Sequence, residues 1–443
     1  MVFAILIGLG LTLQHAIYAQ LANQLQPSQP GTQTTTPRVV TLQEAMELAR
    51  INSPQLASAN ITALLAHEDR VQAKAALLPN ANWFNQFIYT QPNGTPSGVF
   101  IANDGPHVYN NQAIVHGDIF APGKRAEYQR TIAAEAVARA KADIAGRGLI
   151  ATVVQNYYGL VSAQRKYANA QLSLREAGQF ADITQKQEQG GEVAHADVVK
   201  AQIQLAQRQR DAQEAQVAIE KARIGFAVIL FPDFRRDYSV VDDLQTMPAL
   251  PPFEQIQGLA AKNSPDIRAA QSAVRQETLG ITVARSAYLP QLSFDYFFGI
   301  NANQYALYNR SHQNNLGSVA QAQMTVPLWT WGATRSKIKQ AQLHLQQAKN
   351  DLSLTQRTLL ANLNSFYLEA ETATSQLVSL KNSLDLSTES LRLTLLRYQA
   401  GEATALEVAD AQTTLVQARN AYDDGVVRYR LALANLQTLT GAF

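Results

Sequence analysis

The chain of 443 residues carries 37 Lys+Arg against 35 Asp+Glu, a formal net charge of +2, 7 His and no cysteine, with 46% hydrophobic and 16% charged residues. Near-neutral charge leaves no concentrated basic face for nucleic acid, and the lack of cysteine excludes disulfides, thiolate metal sites, thiol nucleophiles and a lipidated cysteine anchor. Charge this sparse, where a soluble domain carries about 25%, is compatible with a membrane protein, so the pattern has to decide.

Residues 2–13 form the one long apolar run. It falls short of the roughly 20 residues of a spanning helix. It has the length of a secretory signal core, with Ala19 placed for cleavage, although no Lys or Arg precedes it. Residues 1–19 therefore read as a signal peptide. Residues 20–40, rich in Gln, Pro and Thr, cannot bury enough surface to order themselves and read as a disordered tether. No later stretch could cross a bilayer as a helix, so any span has to be made of strands.

From residue 41 the chain is written twice, at an offset of about 210 residues. Asn52-Ser53-Pro54 recurs as Asn263-Ser264-Pro265, Leu78-Pro79 as Leu289-Pro290, Gly123 as Gly332, and Gly191-Glu192 as Gly401-Glu402. Ala201-Gln202 and Leu205 recur as Ala411-Gln412 and Leu415. The reading is a tandem duplication: a first repeat over 41–246, a Pro-rich linker over 247–252 and a second repeat over 253–443.

Each repeat opens with a short helix, residues 41–51 and 252–262. A second helix follows, capped by Ser53 or Ser264, with Pro54 or Pro265 in its first turn. The Leu-Pro pair ends it, because proline cannot continue the ladder. A β-hairpin comes next. In the second repeat Leu292, Phe294, Tyr296, Phe298 and Ile300 alternate with Gln291, Ser293, Asp295 and Asn301, Phe297 being the exception. The partner strand sets Ala320, Ala322, Met324, Val326 and Leu328 against Gln321, Gln323 and Thr325. The first repeat's strands, about 80–91 and 108–120, alternate less clearly and are joined through Gln91-Pro92-Asn93-Gly94. Proline-free helices over 123–189 and 332–400 come next, each on the order of 100 Å long at 1.5 Å per residue. Gly190-Gly191 and Gly401 turn the chain into return helices over 192–229 and 402–440. The apolar stripe is expected at Leu380, Leu384, Leu391, Leu395 and Tyr398, facing Leu406, Ala409, Thr413 and Val416.

Four strands of membrane-crossing length cannot close a barrel, since the smallest membrane barrels have eight. An open sheet in lipid would leave edge groups unpaired at several kcal/mol each. Inserted hairpins therefore require oligomers: eight strands in a dimer barely hold their own side chains, whereas twelve in a trimer leave a lumen. A half-buried sheet in a soluble α+β domain with a simple coiled coil is the competing reading of the same pattern.

The ordered, duplicated phrases resemble the TolC-type outer-membrane efflux proteins (outer membrane factors) over about residues 40–440. They are Leu42-Gln43-Glu44-Ala45 leading to Asn52-Ser53-Pro54, Ala75-Ala76-Leu77-Leu78-Pro79, Tyr288-Leu289-Pro290, and Val326-Pro327-Leu328-Trp329 running into Gly332. The stretch Arg397-Tyr398-Gln399-Ala400-Gly401-Glu402, with Val408, Asp410-Ala411-Gln412 and Leu415, carries most of the likeness. The resemblance implies an α+β membrane protein built as a homotrimer, with a 12-stranded outer-membrane β-barrel continued by a periplasmic α-helical barrel. It further implies an exit duct in outer-membrane lipid, fed by an inner-membrane pump through a periplasmic adaptor (membrane fusion protein), for efflux or type I secretion.

No catalytic, cofactor or metal constellation is legible. The histidines (His15, His67, His107, His116, His195, His312, His344) are scattered, and Gly190-Gly191 lacks the context of a phosphate loop. The chain is expected not to be an enzyme and to carry no cofactor. The resemblance places adaptor contacts on the tips, at Gly191, Glu192, Val193, Gly401, Glu402 and Ala403. Gate candidates are Asp197, Lys200, Tyr398, Glu407 and Asp410. Glu407 and Asp410 lie three apart on one helix face and could ring a pore with carboxylates, or simply complement a helix N-terminus. Tyr398 matches a family tyrosine, while Ala403 stands where the family can carry an arginine, which puts an arginine latch in doubt. A non-channel periplasmic coiled-coil adaptor is the alternative function, but one central hairpin with a β-rich domain would be its pattern, not two equal units.

Overall fold

A computed structural model describes residues 38–89, 107–235 and 237–441. The signal peptide over 1–19, the tether up to residue 37 and the turn at Gln91–Gly94 lie outside these residues. The end of the tether is corrected. Arg38–Val40 forms a strand (β1) paired with Tyr238–Val240 (β4), so these residues satisfy their backbone groups in a two-stranded sheet. Arg38 and Val39 with Asp237–Ser239 make a small unit of their own. Everything below concerns the second unit, which holds the remaining described residues.

Both halves run through the same elements. The first has Leu42–Asn52 (α1), Pro54–Ala75 (α2), Asn80–Tyr89 (β2), His107–Phe120 (β3), Pro122–Gln189 (α3) and His195–Leu230 (α4). The second has Phe253–Asn263 (α5), Pro265–Ser286 (α6), Gln291–Ala302 (β5), Leu316–Thr325 (β6), Ala333–Gln399 (α7) and Ala405–Thr440 (α8). Each Ser-Pro restart works as its residues require. Ser53 Oγ accepts from Leu56 N at 3.2 Å and Ser264 Oγ from Ile267 N at 3.3 Å, with proline in the first turn where no donor is needed. β6 stops at Thr325, short of Val326 and Leu328, because Pro327 has no N–H for the ladder.

The four membrane-length strands pair antiparallel in the order β2-β3-β5-β6, so the two halves join through β3 and β5, and β2 and β6 are the edges. The register sorts side chains by face. Trp83, Ala113, Phe298 and Ser318 share one row, and Ala81, Val115, Tyr296 and Ala320 the next, giving an apolar, aromatic face. The opposite face is mixed: Gln86 with Asn110 and Asn301, and Asn80 with His116, Asp295 and Gln321, make polar rows, while Asn82 shares its row with Ile114, Phe297 and Val319. There His116 Nδ1 lies 2.7 Å from Asp295 Oδ1. Gly117 admits the Phe294 ring across the strand pair, since a Cβ would lie 2.3 Å from Phe294 Cε1. A bulge between Asp118 and Phe120 bends β3 where it meets α3.

The helices line up as staves. Above, next to the sheet, the packing order is α2-α3-α6-α7; below, it is α4-α3-α8-α7. α2 and α4 therefore form one open edge and α7 the other. Both edges expose apolar side chains, Ile61, Leu64 and Ile203 on one and Leu354, Leu368 and Leu386 on the other. Mid-stave, Tyr157, Leu160, Phe226 and Leu230 are fully buried. The segment leading into the linker is held down there. Arg165 donates to Asp242 (2.6 and 2.9 Å) and to Asp423 of α8 (2.9 Å), while Tyr157 Oη donates to Val241 O at 2.6 Å. Burial pushes the Tyr157 phenol up to about 12.

Between α2 and α3 the buried Glu135 carboxylate meets His67 Nδ1 (3.0 Å), Arg70 Nε (2.5 Å) and Arg139. Burial pushes this carboxyl up, but His67, Arg139 and Arg70 together hold it below the ordinary glutamate value. A folded-state value below the unfolded one contributes stability above pH 4.5, which is lost as pH falls through the folded value. Thermal melts of Glu135→Gln should thus lie below wild type at pH 7 and converge with it in acid. Parallel melting curves at both pH values would show that the cluster adds nothing.

Candidate functional site

The far ends of the stave pairs carry the residues singled out above. α3 ends at Gly190, and Gly191 takes a left-handed backbone with φ +79. Gly191 N then donates to Glu188 O (2.9 Å) and Glu192 N to Gln187 O (2.8 Å), which satisfies the last helix carbonyls. The second tip repeats this with Gly401 at φ +77, Gly401 N to Tyr398 O (3.0 Å) and Glu402 N to Arg397 O (2.8 Å). No atom lies within 4 Å of where a Cβ would stand on either glycine. The backbone angle, not space, is what requires glycine there.

The six tip candidates divide. Gly191, Glu192, Gly401 and Glu402 are exposed, while Val193 and Ala403 turn inward against a buried cluster. That cluster joins Phe180 of α3, Ala201 of α4, Leu391 and Tyr398 of α7, and Ala405, Val408 and Leu415 of α8. The expected α8 stripe is therefore one residue out of phase. Leu406 is 59% exposed, and the buried line is Ala405, Val408, Gln412 and Leu415. Small and β-branched side chains fit against α3 and α7 where the helices approach closely, so hydrophobicity alone misjudged the phase.

Tyr398 is 3% exposed, sits edge-on to Phe180 with centroids 5.1 Å apart, and donates from Oη to Thr184 Oγ1 at 3.2 Å. Thr184 in turn donates to Phe180 O at 2.9 Å. Burial raises the Tyr398 phenol above its usual value. Within the protomer this gate candidate is part of the buried cluster.

The charged candidates are placed as follows. Lys200 does not reach a neighbouring helix; its Nζ lies 3.5 Å from Asp197 Oδ1 one turn back on α4. Glu407 completes a capping box, with Thr404 Oγ1 accepting from Glu407 N (3.3 Å) and Glu407 Oε1 accepting from Thr404 N (3.2 Å). Arg397 Nη1 stands 3.6 Å from Glu407 Oε2, and Nη2 donates to Glu402 O at 3.1 Å. Glu407 is thus held locally. Asp410, one turn on, is exposed, and among the described residues its carboxylate makes no ion pair or hydrogen bond. Arg397 was not singled out from sequence. The Thr404-x-x-Glu407 spacing was a legible signal for the cap, and Arg397 puts a cation at the tip where Ala403 lacks one. At the first tip His195 Nδ1 lies 2.6 Å from Glu188 Oε1.

Among the described residues no group of three or more His, Cys, Asp or Glu could hold a metal ion, and no helix is long and apolar enough to cross a membrane. Residues 257–442 match the family model described as "Outer membrane efflux protein". Outer membrane protein TolC of Vibrio cholerae is 22% identical over 416 residues, 93% of each chain. The alkaline protease secretion protein AprF of Pseudomonas aeruginosa is 21% identical over 90% of this chain and 84% of its own. The crystal structure of the Campylobacter jejuni CmeC outer membrane channel superposes with a TM-score of 0.81 at 17% identity, over 90% of this chain and 85% of that one.

These likenesses support a TolC-type outer membrane factor. The Vibrio cholerae relative is named an outer membrane protein and the Campylobacter jejuni structure an outer membrane channel. The sheet, with aromatic and apolar rows on one face, is the element suited to lipid. The tips lie at the ends of the staves away from the sheet.

Proposed function

We propose that three copies of this chain form an outer-membrane exit duct that passes small molecules or proteins from an inner-membrane pump and a periplasmic adaptor to the exterior. One observation carries the reading. A four-stranded sheet with an aromatic, apolar face and two open edges cannot remain alone in lipid. Three such sheets joined β2 to β6 give twelve strands, enough for a barrel with a lumen. The exposed apolar stripes on α2, α4 and α7 lie on the same two edges and would be covered by the same association. The recurrence of element order and lengths supports descent of the halves from one duplicated unit, the first over 41–246 and the second over 253–443.

The duct itself performs no chemistry and leaves selection of cargo to the pump. A relative's name, alkaline protease secretion protein, fits protein cargo, and the family description fits efflux. Gly191, Glu192, Gly401 and Glu402 are the exposed surface offered to the adaptor, with Val193 and Ala403 setting the shape of the tips from within. Purified protein should elute as a trimer and give stable conductance steps in planar bilayers. A monomer without conductance would reject the duct.

Asp410 is the remaining gate acid with a free carboxylate, and a ring of three would favour cations. Asp410→Asn should move the reversal potential across a KCl gradient toward zero without loss of trimer. Glu407→Ala should instead destabilise the second tip by about 1 kcal/mol through its cap, seen as faster proteolysis at Gly401. An unchanged reversal potential in Asp410→Asn would leave that acid as helix coating.

A further inference from the structure

Neither the lumen nor the tips use the corners where strands meet helices, yet these corners share a composition. At the foot of β6, Leu328, Trp329 and Trp331 are 89%, 74% and 88% exposed, and the two indoles lie edge-to-face at 5.7 Å. The first turns of α7 then carry Arg335, Lys337 and Lys339, all exposed. No Asp or Glu occurs from Tyr296 to Asn350, and among the described residues none of these three cations is in an ion pair. The corner between β3 and α3 repeats the arrangement: exposed Ile119 and Phe120, then exposed Lys124 and Arg125, with Lys124 paired to Asp118. The helix-to-strand corner before β5 has exposed Arg285 followed by Tyr288 and Leu289.

Indole and phenol rings prefer the boundary where one end is apolar and the other wet. Exposed Lys and Arg just beyond that boundary attract phosphate-bearing, anionic headgroups. A neighbouring copy could cover the β6 corner, since β6 is an edge. It could not cover the β3 and β5 corners in the same way, because both edges of those strands are already paired. Lipid is the one occupant that suits all three corners.

We propose that this collar binds anionic phospholipid headgroups of the periplasm-facing leaflet, with Trp329 and Trp331 at headgroup level and Arg335, Lys337 and Lys339 drawing the phosphates. The inference rests on the outer-membrane reading above. The chain's three Trp make it directly testable: Trp83→Phe leaves Trp329 and Trp331 as the reporters. This full-length protein would be reconstituted in phosphatidylcholine vesicles containing either brominated phosphatidylglycerol or brominated phosphatidylcholine at equal mole fraction. Quenching by the glycerol lipid should exceed that by the choline lipid about twofold or more, and the excess should fall as salt rises. It should also vanish in Arg335→Gln/Lys337→Gln/Lys339→Gln. Equal quenching by both lipids would overturn the proposal, as would a failure of either lipid to reach the indoles, which would mean that a second copy covers them. The salt titration needs no variant at the collar. Conductance of the same vesicles reports the duct separately, so a conducting protein with headgroup-blind quenching sinks the collar alone.

Discussion

Tyr296→Arg is expected to abolish recovery of the protein as a membrane-inserted oligomer. Tyr296 lies mid-strand on β5, paired with Val115 and Ala320 on the apolar face, and is 42% exposed in the protomer. An arginine facing lipid near the bilayer midplane costs about 2–4 kcal/mol, and a trimer would meet that cost at three positions. Gln321→Arg, opposite Asp295 in a polar row of the other face, is the control and should assemble normally. Membrane fractionation followed by unheated gel electrophoresis reads both. If Tyr296→Arg inserts and Gln321→Arg does not, the two faces of the sheet are assigned the wrong way round.

Phe180→Ala should carry the largest stability cost at the tips. Phe180 is 1% exposed, joins α3 to α7 through Tyr398, and supplies the carbonyl that Thr184 bonds. Removing a buried phenyl group costs about 3–5 kcal/mol by lost transfer energy and the cavity left behind. The expected result is a lowered melting temperature in detergent and early cleavage near the tips. Tyr398→Phe is the informative partner. It should lose only the bond to Thr184, about 0.5–1.5 kcal/mol, and leave single-channel conductance unchanged. A large conductance change in Tyr398→Phe would assign this tyrosine to the gate.

Much of this architecture was legible from local chemistry. Ser53-Pro54 and Ser264-Pro265 had to begin helices, Leu78-Pro79 and Leu289-Pro290 had to end them, and Gly191 and Gly401 had to turn the chain, because caps, missing donors and positive φ act within a few residues. Alternation in β5 likewise marked its apolar side before any partner was known.

What the order of residues by itself determined was therefore the recurring order of the main elements and their approximate lengths, though not the pairing of β1 with β4. Which side chains at the tips are free was decided by tertiary packing acting together with local pairs. Lys200 is claimed by Asp197, Glu407 by its own cap and Arg397, and Tyr398 by Phe180 and Thr184, leaving Asp410 exposed. The pairing of β3 with β5, which brings Asp295 to His116 across the two halves, was also beyond local reading. The physical reason is range: a helix period places residues on a face, but what that face meets depends on the rotation of helices hundreds of residues away, and small residues such as Ala405 bury as readily as leucine.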